Sequence, residues 1–200
     1  MFDFLNYVIF LCLLCAVHSL NYHEQSEWSC HEDNCVTMPE GCALGESSTK
    51  CQAMLVWNVT ELGTQLRLTG HIETNQYVAV GLSSDDKMGD DLVMDCLADE
   101  SALVHTQFSF NVRQGVNRNL NMNETLSSSG MKLEGTTRMN GQVMCQWLWD
   151  EEVIVDNQNF ERSASSFHIL LAVGPFTKNG QGKLMSIKLN TCSLSCLLFY

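Results

Sequence analysis

The feature that most constrains this chain is a period of two residues. Leu66, Leu68, Gly70 and Ile72 alternate with Gln65, Arg67, Thr69 and His71. Successive side chains of an extended strand point to opposite faces, so this segment has one apolar and one wet face. Val104, Thr106, Phe108, Phe110 and Val112 alternate in the same way with Leu103, His105, Gln107, Ser109 and Asn111. Short apolar runs over Met54 to Val59, Tyr77 to Leu82, Leu92 to Ala98, Val143 to Trp149 and Phe167 to Val173 are rich in β-branched or aromatic residues. Most are bounded by Gly, Asn, Asp or Ser, as strands are. No segment shows a helical stripe over about twelve residues, and no repeat at solenoid or propeller spacing occurs. Seven or more short strands predict an all-β sandwich. Asn117 to Arg138, polar and rich in Asn, Ser and Gly, reads as a long connection.

Composition bounds the partners. The 200 residues are 45% hydrophobic and 17% charged, which suits one globular domain with a real core. Eleven basic against 23 acidic side chains leave a formal charge of −12, which repels a phosphate backbone, so nucleic acid is not an expected partner.

The N-terminal run Tyr7 to Val17 is apolar and uncharged, too short to span a bilayer and of the right length for the apolar region of a secretory signal. Val17-His18-Ser19 suits cleavage after Ser19; a buried N-terminal strand or helix is the alternative. Cys12 and Cys15 leave with that signal, and Cys30, Cys35, Cys42, Cys51, Cys96, Cys145, Cys192 and Cys196 remain. An even number in an oxidising compartment fits a disulfide framework better than a zinc site, because the mature chain keeps no C-x-x-C pair. The first four of these form a stapled N-terminal segment, and Cys96 and Cys145, each in a strand-like run, are candidates to join two strands. Asn58-Val59-Thr60 and Asn123-Glu124-Thr125 are glycosylation sequons, consistent with a secreted or extracellular chain. The expected division is a signal peptide over 1–19, a cysteine-rich segment over 20–52, the sandwich over 53–181 and an atypical tail over 182–200.

The run from Tyr77 to Cys96, YVAVGLSSDDKMGDDLVMDC, strongly resembles the signature of DOMON domains, particularly the extracellular one of ferric-chelate reductase-like proteins. Leu55-Val56-Trp57, Phe108 to Gln114 and Leu170 to Pro175 fall in that family's order, and the resemblance covers about Cys30 to Gln181. It implies an immunoglobulin-like β-sandwich that binds haem or sugar, or serves as a protein-interaction module. In haem-binding members the methionine of the acidic loop is one axial ligand of haem b, a position that falls on Met88 here. A thioether among Asp85, Asp86, Asp90 and Asp91 is an apolar side chain in a loop expected to be solvated, so something should cover it; tucking onto the sandwich core is the other way to do so. A Met/His pair fills both axial positions and favours electron transfer over oxygen activation. The family's histidine follows the Gly-Pro of the last core strand, and no histidine follows His168 in this chain. His168 shares a strand face with Leu170 and Ala172 and reads as a packed or edge residue, while His71 and His105 fall on polar faces. Cation binding by the four aspartates is a weaker reading, because the alternating order of a calcium loop is missing.

Two functions follow from the resemblance. One is the extracellular module of a ferric-chelate reductase-like protein, whose partner is a transmembrane cytochrome in a longer isoform. The other is a non-catalytic secreted module that binds another extracellular protein or a small ligand without haem. No Ser/His/Asp or Cys/His arrangement motivates a hydrolase, so the chain is at most part of a transmembrane ferric reductase. Residues 182–200 match nothing expected of the domain and read as a retained intron or a truncated gene model, with a lipid-anchor signal as the alternative.

Overall fold

The computed structural model describes residues 28–31, 33–42, 51–85, 87, 89–101, 103–113, 116–120, 130–150, 152–155, 158–161, 167–176 and 187–188. Its strands are β1 (Cys35–Met38), β2 (Ala53–Thr60), β3 (Gly63–His71), β4 (Gln76–Ser83), β5 (Asp91–Ala98), β6 (Val104–Arg113) and β7 (Val116–Asn119). They continue as β8 (Met131–Met139), β9 (Gln142–Trp149), β10 (Val153–Val155), β11 (Gln158–Phe160), β12 (His168–Pro175) and β13 (Ile187–Lys188). Among the described residues there is no helix. One sheet has five strands in the order β1-β2-β3-β9-β8, the other six in the order β13-β12-β4-β5-β6-β7, and β10 and β11 form a separate hairpin. The fold is an immunoglobulin-like β-sandwich.

The alternating apolar residues explain why the two sheets face each other. Leu55, Trp57, Leu66, Leu68, Val143, Cys145 and Trp147 of the first sheet meet Val78, Val80, Leu82, Leu92, Met94, Phe108, Phe110, Ile169 and Leu171 of the second in one buried cluster. Each fully buried side chain of this kind contributes about 1.5–3 kcal/mol. Close approach needs one small residue: a Cβ on Gly70 of β3 would lie 2.8 Å from the Val78 Cβ of β4. A disulfide between Cys96 of β5 and Cys145 of β9, both 0% exposed, ties the sheets together through the middle of that core. Trp149, Phe160 and Phe167 close one end, with Phe167 ring centroids 5.4 Å from Trp149 and 6.1 Å from Phe160.

Three expectations need revision. Asn117 to Arg138 is not simply a connection: Asn117–Asn119 belong to β7, and Met131–Arg138 to β8, which pairs with β9. Of β8 only Met131 is buried, so this edge strand carries no apolar alternation to read. The signal present was its turn, Asn140-Gly141, where both residues have positive φ (54° and 78°), as a two-residue hairpin requires. The cysteine-rich segment also contributes to the sandwich, because β1 pairs with β2 and buries Val36 and Met38 in the core. Val112 stays exposed at 42%, because the β6–β7 register shifts between Asn111 and Arg113 and interrupts the alternation there. The signal peptide, Cys192 and Cys196 lie outside the described residues. So does the tail apart from Ile187 and Lys188, which pair with Ala172 and Leu171.

Replacing both Cys96 and Cys145 by Ala removes a link that closes a loop of 49 residues. Urea unfolding of this double variant is expected to show a loss of about 2–4 kcal/mol.

Candidate functional site

The acidic loop joins β4 to β5 and is folded onto the strands that carry it. The Ser83 hydroxyl donates to the Lys87 carbonyl (3.3 Å) and accepts from the Asp85 amide (3.3 Å), while the Asp85 carboxylate accepts from the Lys87 amide (2.8 Å). The Gly89 amide donates to Asp91 Oδ2 (3.0 Å), and Gly89 and Asp90 both have positive φ, which turns the chain back into β5. Asp85 and Asp91 therefore have different roles: Asp85 caps a turn, whereas Asp91 opens β5 and is 0% exposed.

Asp91 belongs to a polar row across the outer face of the six-stranded sheet. His168 of β12 pairs directly with Ser83 of β4, and Asp91 of β5 pairs with Asn111 of β6. The Asn111 side-chain amide donates to Asp91 Oδ2 (3.2 Å). Asp91 Oδ1 and His168 Nδ1 are both enclosed with no hydrogen-bond partner among the described residues. The row adjoins a second, smaller apolar cluster of Tyr77, Ala79, Val93 and Ala172, with Leu97 and Phe176 packed against it.

Within that outer face lies a second buried carboxylate, Asp95. Its Oδ2 accepts from Ser109 Oγ (3.0 Å) and Gln107 Nε2 (3.4 Å). Burial disfavours its charged form and pushes its pKa up to about 6, against the pull of those two bonds. Burial raises Asp91 as well, although the nearby Ser83 hydroxyl and the bonds from Gly89 and Asn111 favour its charge; nearby Asp85 adds to the rise. The Tyr77 hydroxyl is driven up to about 12, first by burial and then by the Asp95 charge. Neither buried carboxylate was legible as such. Both sit at alternating positions that pattern as a wet face, and their neighbours on β4, Ala79 and Ser83, give no charge that would mark a pair.

Met88 and Asp86 lie outside the described residues, as does Asn123. Asn58 is half-buried in β2 opposite Gln65, and Thr60 of the same sequon donates to the Gly63 carbonyl (2.9 Å). The structure pairs Cys30 with Cys35 and Cys42 with Cys51, alongside the link between the sheets. His71 is exposed at the end of β3, and His105 is bound to Asp99 (2.8 Å) on the surface. No cluster of three or more His, Cys, Asp or Glu arranged to hold a metal ion occurs among the described residues.

No family model matches the chain. It is 30% identical over 148 residues to a Drosophila melanogaster protein named as a ferric-chelate reductase 1 homolog; the aligned part is 72% of this chain and 22% of that protein. The chain thus spans about a fifth of its relative's length. Its fold is similar to that of the cytochrome domain of Myriococcum thermophilum cellobiose dehydrogenase, with a TM-score of 0.52 over 76% of this chain and 82% of that one, at 9% identity. Together with the acidic-loop signature, these likenesses support a DOMON-type domain, similar in sequence to part of a ferric-chelate reductase homolog.

Because the folded-state pKa of Asp95 is raised, the stability it adds is fully present below its ordinary value of 3.8 and is lost as pH rises through about 6. The melting temperature is expected to be higher at pH 5 than at pH 7.5, by about 5 °C. Asp95→Asn should flatten that dependence in a calorimetric pH series.

Proposed function

We propose that this domain is the extracellular electron-transfer module of a ferric-chelate reductase-like protein and that it holds a b-type haem through Met88. The observation that carries this reading is how the loop is held. The two chain neighbours of Met88 are fastened separately, Lys87 to Ser83 and Gly89 to Asp91, and both anchors sit on the outer face of the six-stranded sheet. Anchoring Lys87 and Gly89 lowers the ordering cost of a loop that would bind a ligand. The donor set also fits. A haem asks the protein for axial side chains such as a thioether or an imidazole rather than a cage of carboxylates.

A bound haem would supply a one-electron carrier. Ser83 and Asp91 anchor the loop at Lys87 and Gly89, on either side in sequence of Met88, which would hold the haem. The electron donor implied is a membrane cytochrome, and the acceptor is a chelated ferric ion, which the same single electron reduces to ferrous. Similarity to part of a ferric-chelate reductase homolog and to the fold of a cytochrome domain supports this reading. A second reading, a secreted binding module without haem, draws on one observation: Phe176, Thr177 and Lys178 come directly after Gly174-Pro175, where the family carries its histidine ligand.

The test is titration of the secreted full chain with haemin, followed by its Soret absorption. The expected result is a saturable one-to-one Soret band that shifts and weakens in Met88→Ala. A protein that leaves the absorption of added haemin the same as haemin in buffer speaks for the haem-free module.

A further inference from the structure

We propose that Cys30–Cys35 is a redox-sensitive clasp: it holds the segment Trp28–Cys30 across the outer face of the five-stranded sheet, and a dithiol reductant that opens it releases this segment while the sandwich stays folded. The first argument is placement. Cys35 of β1 pairs with Val56 of β2, Val56 with Arg67 of β3, and Arg67 with Gln146 of β9, so the four form one row across the sheet. Their chain neighbours Val36, Leu55, Leu66 and Trp147 belong to the core cluster, which puts the row on the outward face. Val56 is nevertheless only 1% exposed. On one side of it Cys35 is bonded to Cys30, and on the other Arg67 lies over the Trp28 ring at 3.9 Å. Trp28 and Cys30 are two residues apart and fastened on either side of Val56, so the chain between them passes over it.

The second argument is how the segment is held. Residues 28–31 lie in no strand. The Asn34 side chain donates to the Ser29 carbonyl (3.2 Å) and accepts from the His31 amide (2.8 Å), and both bonds are exposed, where water replaces them at little cost. Arg67 is held separately by Gln146 (3.0 and 3.3 Å), so it does not need the ring to keep its place. The two links differ in the same sense. Cys96 and Cys145 are 0% exposed and 49 residues apart, whereas Cys30 is half-buried and five residues from Cys35. A thiolate must reach a sulfur to open a disulfide, and a short loop regains less chain entropy on closing, so the clasp opens first. One thiolate of the dithiol attacks a sulfur of the pair and its second thiol resolves the mixed disulfide. The reductant leaves as a cyclic disulfide, and Cys30 and Cys35 leave as thiols with its two electrons and two protons. Opening bares Val56 and the side of Arg67 that Trp28 covers, an aliphatic and cationic strip on a chain of formal charge −12.

The experiment treats the folded, oxidised full chain with dithiothreitol, alkylates it with N-ethylmaleimide and maps the products by peptide mass, with tryptophan fluorescence in parallel. Cys30 and Cys35 are expected to be alkylated while Cys96 and Cys145 stay joined and the far-ultraviolet circular dichroism is unchanged. Trp57, Trp147 and Trp149 are buried in the core, so a red-shifted emission that acrylamide quenches more strongly reports Trp28. This change should be absent in Trp28→Phe and present without reductant in the double variant Cys30→Ser, Cys35→Ser. The double variant Cys42→Ser, Cys51→Ser should respond to reductant as wild type does. Two results on the unsubstituted protein overturn the proposal: Cys30 and Cys35 resist alkylation until Cys96 and Cys145 also open, or they are alkylated with the emission and its quenching unchanged.

Discussion

The meeting of two apolar faces, locked by Cys96–Cys145, is the constraint on which the remaining structure depends. It joins an inner strand of one sheet to an inner strand of the other, so neither can slide by a residue without exposing Leu68, Met94 and Trp147. Gly70 is part of the same constraint, since its missing side chain leaves the room that Val78 occupies. Once β5 is held between β4 and β6, the loop before it must emerge beside the start of β12. The position of the acidic loop is therefore a consequence of core packing.

The outer face of the six-stranded sheet behaves unlike an ordinary wet face. It buries two carboxylates and a tyrosine hydroxyl beside small apolar residues, and both carboxyls are pushed toward their neutral forms. Such an arrangement costs stability near neutral pH. Asp91 also anchors the loop, so the buried charge and the loop geometry are parts of one device. The five-stranded sheet treats its polar face differently: Arg67 lies over the Trp28 ring at 3.9 Å and bonds Gln146 (3.0 and 3.3 Å), an arrangement that covers surface without burying an acid.

The fold class was legible because alternation is a local property. Leu66, Leu68 and Ile72 are in the core as their spacing requires, and the strands near Met54, Tyr77, Leu92, Val143 and Phe167 fall within a residue or so of the runs that marked them. β8 escaped because an edge strand wet on both sides has no period to show, and β1 because four buried residues in a row have none either. The candidate site was legible in part: the loop stood out by its resemblance, whereas the burial of Asp91 and Asp95 did not.

What the sequence determined by itself was the two-faced character of each strand, and with it the sandwich, because a two-residue period has only one way to hide its apolar half. Only the tertiary structure decided which polar residues are enclosed and which histidine stands beside the loop. Those properties belong to pairs of strands far apart in the chain: His168 and Ser83 are neighbours because β12 lies against β4, and no local pattern in either segment encodes that pairing.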